Sequence, residues 1–206
     1  MIPLGFILLT ALVASASPGP ATLGIAATSM RRGTRAGLAF AAGVTCGSLT
    51  WSLAAALGLS AVMLSYVWLL EIIRYAGALY LLFLGLKAAR SALQPKDIAP
   101  QGAAEGALPR VFVHGMLLHL TNPKAILFFG ALYSMILSPE ATPLQILTVI
   151  LAVGAQSVIV FHGYALLFSR AAVMRTYLRA RRPFEAAFAV LFGIAGAKLL
   201  TLRLSE

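Results

Sequence analysis

Six apolar blocks, each close to the length of a membrane-spanning helix, constrain this chain more than any other feature. They run over Ile2–Thr28, Ala36–Leu64, Tyr66–Leu93, Val111–Leu137, Pro143–Ser169 and Phe184–Leu204. A spanning α-helix needs about 20 predominantly apolar residues. The apolar residues come in runs and do not alternate, so the blocks read as helices, which satisfy their own backbone polar groups inside hydrocarbon. The chain is 60% hydrophobic and only 11% charged, against roughly 25% charge in soluble domains. The expected fold is therefore an all-α integral membrane protein with six transmembrane helices and no soluble domain. The one cysteine, Cys46, lies in the second block, forms no internal disulfide, and reads as a small packing residue.

The net charge is +10, and its placement decides what it means. Arg31, Arg32 and Arg35 follow the first block. Lys87, Arg90, Lys96 and Arg110 follow the third, and Arg170, Arg175, Arg179, Arg181 and Arg182 follow the fifth. The connection after the second block has no basic residue, and the one after the fourth has Glu140 alone. Basic residues concentrated in alternate connections follow the positive-inside rule. This predicts cytoplasmic basic loops and both termini outside. A nucleic-acid binder would gather its charge on one folded face, so that class is excluded. Ala14-Ser15-Ala16 has the small residues of a cleavage site. No basic residue precedes it and apolar character continues to Ala27, so the first block is expected to stay as an uncleaved helix.

Residues 94–110 hold the longest polar stretch, QPKDIAPQGAAEGALP, with three prolines and two glycines. It reads as a flexible cytoplasmic linker within a single membrane domain of residues 1–206. It separates a first three-helix repeat, 1–93, from a second, 111–206. Three spans per half force opposite orientations, which is the topology of two inverted three-helix repeats. The first helix of each half carries a proline-centred break, Ser17-Pro18-Gly19-Pro20 and Asn122-Pro123-Lys124. The third helix of each half carries Gly-x-Lys, at Gly85–Lys87 and Gly196–Lys198.

Proline within a helix removes a donor and clashes with the carbonyl four residues back. Pro18 and Pro20 therefore free the carbonyls of Ala14 and Ala16, and Pro123 frees that of His119. Gly19 weakens the first helix further. Proline also favours the first position of a helix, so Pro20 and Pro123 are expected to start half-helices near mid-membrane. Their N–H groups would attract an anion such as a carboxylate. Lys124 adds a full charge there and, at a cost of about 2.5–3.5 kcal/mol at the bilayer centre, is expected to face a polar cavity. The substrate-binding set predicted from these segments is Pro18, Gly19, Pro20, Asn122, Pro123 and Lys124.

The same segments resemble the LysE/RhtB family of amino-acid exporters. Ser17–Pro20 followed by Arg31-Arg32-Gly33 looks like that family's opening. Arg74–Gly85 (RYAGALYLLFLG) is similar to its third helix, and Asn122–Ala125 with Phe128-Phe129 to its fourth. The likeness runs the whole chain. It implies a multi-pass permease of the bacterial inner membrane that exports amino acids or related metabolites, driven by protons. It carries the family's motif onto Pro18, Gly19, Pro20, Asn122, Pro123 and Lys124. The chain departs from it at Ala21, where many relatives have Asn, and at Ser48, where many have an acid. It also departs near Leu137–Glu140, where many have Pro-Gln-Phe.

Histidine titrates near neutrality, which makes His119 and His162 the proton-handling candidates; His114 reads as interfacial. Glu71 and Arg74 read as an outer ion pair. Tyr66, Trp68 and Tyr133 fit an outer aromatic belt, and Ala39, Gly43 and Gly47 offer a small-residue face for close helix packing. No GxxxxGK[ST] loop, metal-spaced Cys/His cluster or nucleophile–base pair is present, so no cofactor, metal or catalytic residue is expected. The expected partners are an amino-acid substrate, protons and membrane lipids, and a homo-oligomer is compatible with the sequence. The alternatives to a transporter are an intramembrane enzyme built on His119, Asn122 and Lys124, or a membrane scaffold indifferent to them.

Overall fold

The computed structural model describes residues 4–17, 19–65, 67–93, 103–136 and 141–201. These form seven α-helices and no strands: α1 (Leu4–Ala16), α2 (Pro20–Ser65), α3 (Val67–Leu93), α4 (Leu108–Leu120), α5 (Pro123–Ile136), α6 (Pro143–Phe168) and α7 (Ala171–Thr201). Among the described residues three helical stretches are long and apolar enough to cross a membrane: Pro20–Gly58, Tyr75–Leu93 and Pro143–Phe168. Leu4–Ala16 and Lys124–Ser134 are apolar but shorter. Fewer stretches than the six expected blocks reach spanning length, in part because breaks after Ala16 and after Leu120 each cut a block into two helices.

The connection expected after the first block is a tight turn: within Pro20–Ser65 two helices meet at a kink at Gly33 (φ 79, ψ 177), among Arg31, Arg32 and Arg35. That is a left-handed φ which glycine adopts at little cost. The turn is sharp, since a carbon added at Gly37 would overlap Ser29, eight residues back. By contrast, α7 begins at Ala171, well before Phe184, and carries Pro183 inside it. The connection after α6 is therefore just Ser169 and Arg170. The described end of the linker is hydrogen-bonded to α2. The Arg32 guanidinium donates to the carbonyls of Ala104 (2.8 Å) and Gly106 (2.6 Å), and the Ala104 N–H donates to Thr28 Oγ1 (3.1 Å). Residues 94–102 of the linker lie outside the described residues, as do Pro18, Tyr66, residues 137–140 and the side chains of Trp68, Glu71 and Arg74.

Small residues let the helices touch backbone to backbone. A methyl group added at Gly43 would overlap the Phe112 carbonyl on α4, and one added at Gly115 would overlap the Phe40 carbonyl on α2. Gly47 faces His119 and Met116. The small-residue face of α2 is therefore its contact with α4, and both broken segments are held near one another by it. Tyr133 does not belong to an outer belt. It is fully buried, and its hydroxyl is 2.6 Å from Ser52 Oγ.

Gly43→Ala is expected to destabilise the protein by about 1–3 kcal/mol, the usual effect of overpacking. Gly163→Ala, where nothing lies within 4 Å of the added carbon, is expected to be neutral or stabilising. Thermal unfolding in detergent checks the pair, and equal midpoints for the two variants would contradict the packing described.

Candidate functional site

The two helix breaks converge, and every carbonyl they free can be followed to a donor in the described structure. At the first break the Ser17 hydroxyl donates to the Ala14 carbonyl (3.1 Å), and the Tyr164 hydroxyl on α6 donates to the Ala16 carbonyl (2.6 Å). Lys124 Nζ donates to the Ser17 carbonyl (3.2 Å) and to the Ser17 hydroxyl. Gly19 precedes α2 and Pro20 opens it. Thr22, two residues further, accepts the Gly19 N–H on its hydroxyl (2.9 Å). This is the side-chain-to-cap half of a capping box.

At the second break the Asn122 N–H donates to the His119 carbonyl (3.2 Å). The Asn122 side chain caps α5 by accepting the Lys124 N–H (3.1 Å), and its carbonyl accepts from Ala125 and Ile126. Asparagine at the cap with proline first in the helix is the arrangement expected of a new helix start. Lys124 therefore points from the start of α5 to the break before α2. A carbon added at Gly19 would lie 3.5 Å from Lys124 Nζ.

Two cavities meet at this junction, and Ser17, Gly19, Asn122 and Lys124 line both. One is about 50 Å³, enough for water but not for an amino acid. Ser15, Thr22, Ser48, His119 and Ser157 add its other polar side chains, and the Ser48 and Ser157 hydroxyls are 3.1 Å apart. His119 is 6% exposed, packs edge-on to Phe161, and neither ring nitrogen has a hydrogen-bond partner. The other cavity, about 530 Å³, is also lined by Pro20, Lys87, Ser91 and Glu185. It falls in the size range of small-molecule sites.

Of the residues singled out from sequence, the structure brings together Gly19, Pro20, Asn122, Lys124 and His119. Pro123 opens α5 beside them. His162 is not part of the cluster. Its ring Nδ1 is 3.0 Å from the Val158 carbonyl of its own helix, and it lines neither cavity. Lys198 sits over the Phe6 ring at 4.1 Å and also lies outside both. Ser48 does line the smaller cavity. Sequence reasoning missed Tyr164, Thr22 and Glu185. For Glu185 a signal existed, since an acid within an apolar block is costly unless it faces a polar space.

The comparison with known proteins decides the family. The sequence matches the family described as LysE type translocator over residues 12–203. The chain belongs to the LysE type translocators. It is 29% identical over 197 residues to a threonine efflux protein of Salmonella typhi, covering 93% of this chain and 94% of the relative. It is 34% identical over 165 residues to a leucine efflux protein of Enterobacter sp. (strain 638), with 80% and 77% covered. It is 31% identical over 199 residues to a homoserine/homoserine lactone efflux protein of Salmonella typhimurium, with 95% of each covered. No solved structure matches it. Membership makes the chain a membrane translocator, and the enzyme reading of His119, Asn122 and Lys124 falls.

Removing the cap should be felt locally. Asn122→Ala is expected to lower stability by about 0.5–2 kcal/mol, with Asn122→Ser recovering most of it. Thermal unfolding of the two variants beside wild type checks this, and a serine variant no more stable than the alanine one would contradict the capping role.

Proposed function

We propose that this translocator exports amino acids across the bacterial inner membrane in exchange for protons, binding the substrate carboxylate where its two broken helices meet. Neutral amino acids are the favoured class, in keeping with the relatives named for threonine, leucine and homoserine efflux. The observation that carries the reading is the convergence of two helix starts, after Gly19 and after Asn122, on cavities lined by Lys124. Helix N-termini and a cation together favour a carboxylate. Lys124, held by neutral oxygens of Ser17, is in position to transfer its bonds to an incoming anion.

In this reading the chain crosses the membrane six times as two inverted repeats, residues 1–93 and 111–206. The linker 94–110 and the basic segments are cytoplasmic, and both termini are outside. The packing supports it. α2 packs on α4, α1 packs on α6, and α3 packs on α7. The glycines of the two Gly-x-Lys motifs face each other's helix: Gly85 meets Ala189 and Gly193, and Gly196 meets Ala78 and Leu82. Each broken element thus lies on the other half, as alternating access by rocking requires. The 530 Å³ cavity is the amino-acid-sized space. The smaller cavity is the proposed place for proton handling, since the His119 ring lines it with neither nitrogen hydrogen-bonded.

Cells or vesicles preloaded with labelled threonine, leucine or homoserine are expected to lose label faster with this protein than with an empty vector. A protonophore is expected to abolish the difference. Lys124→Ala is expected to weaken substrate affinity about thirty-fold or more, the effect of losing a charged partner worth about 2 kcal/mol or more. Lys124→Arg is expected to retain part of the activity. Efflux equal to the empty vector across the panel, or a fully active Lys124→Ala, would sink the proposal.

A further inference from the structure

Glu185 has no place in the carboxylate site or the proton path described above, yet it is 6% exposed, on α7, and lines the same 530 Å³ cavity as Lys124. Ser91 Oγ on α3 donates to its Oε1 at 3.2 Å, which orients the carboxylate. The other charged residue lining the cavity is Lys87, and the remaining wall is largely aromatic and aliphatic, including Tyr80, Phe83 and Phe192. Glu185 is the only acid among the described residues that line it.

The cavity holds a cation at one helix start and an acid on another helix, within a space of amino-acid size. A zwitterion carries the complementary pair. Its carboxylate suits Lys124 and the helix starts, and its ammonium suits a fixed carboxylate.

We infer that Glu185 is the ligand for the α-ammonium group of the substrate, in the cavity it shares with Lys124. The inference rests on the reading that Lys124 receives the carboxylate. It makes the site selective for α-amino acids over 2-hydroxy acids with the same side chain, a discrimination that Lys124 and the helix starts do not provide. It also disfavours substrates with a second cationic group, because no second acid lines the cavity among the described residues.

The test uses the full-length purified protein in detergent, with binding measured by calorimetry for L-threonine, L-leucine and the 2-hydroxy acid of each. Wild type is expected to prefer the amino acid by about tenfold or more, as for a hydrogen-bonded charged partner. Glu185→Gln is expected to bring that ratio close to one by weakening the amino acid alone. Lys124→Ala is expected to weaken both ligands in parallel. If Lys124→Ala weakens neither, the carboxylate reading itself fails. If it weakens both while Glu185→Gln keeps the wild-type ratio, the ammonium assignment is overturned. The assignment is also overturned if Glu185→Gln binds both ligands normally but loses its response to a proton gradient in proteoliposomes, which would make Glu185 a proton carrier. Should Glu185→Gln not fold, Glu185→Asp keeps the charge but shortens its reach. A reduced ratio supports the assignment, and an unchanged one counts against it.

Discussion

A backbone carbonyl released inside an apolar environment must find a donor, and the architecture around residues 17–22 and 119–125 is organised by that requirement. Each unsatisfied group in hydrocarbon costs several kcal/mol. Three donors from distant parts of the chain or from the break itself meet it at the first break: the Ser17 hydroxyl, the Tyr164 hydroxyl and the Lys124 ammonium. The Lys124 bond ties the start of α5 to the end of α1. One set of hydrogen bonds therefore keeps a helix break tolerable, and also places a cation between two helix starts. Stability and binding capacity have the same origin here.

The close backbone approach of α2 and α4 makes that geometry reproducible. Gly43 and Gly115 remove the side chains that would hold the two helices apart. His119 and the break that follows it are thereby fixed against α2, with Gly47 beside His119. On the other side, α3 and α7 form the wall that carries Ser91 and Glu185. The cavity between these walls shares Lys124 with the smaller one. A charged side chain common to two cavities can exchange its bonds to Ser17 for bonds to a ligand with little displacement.

Much of this could be read from sequence, because proline acts locally. Pro20 and Pro123 each remove a donor and favour a helix start wherever they stand, so both helix starts, the capping role of Asn122 and the polar setting of Lys124 follow from neighbours in the chain. What could not be read is tertiary. Nothing near Ala16 points to Tyr164, and nothing near Ser17 points to Lys124. Arg31–Arg35 has the composition of a connection, and the chain does turn there, with the whole turn confined to Gly33. The basic segment before Phe184 is helical instead, since its last turns are continuous with an apolar helix. His162 has the composition of a cavity residue, yet it spends its bond on its own helix. Tyr133 has the composition of an interfacial anchor, yet Ser52 supplies the partner that lets it be buried. Pro18 lies outside the described residues, and its part in the break rests on sequence alone.

The central claim is that the substrate carboxylate lies against the Lys124 ammonium, and a dipolar distance measurement reads this contact directly. The protein, labelled with ¹⁵N at the lysine ζ-nitrogens, would be reconstituted in lipid with L-threonine or L-leucine labelled with ¹³C at the carboxyl carbon, and examined by solid-state magnetic resonance. A ¹³C–¹⁵N coupling corresponding to about 3.5 Å is expected, as for a charge-assisted N–H···O contact, and it should vanish in Lys124→Arg. Saturating ligand with no such coupling, or a coupling that survives in Lys124→Arg, would contradict the account.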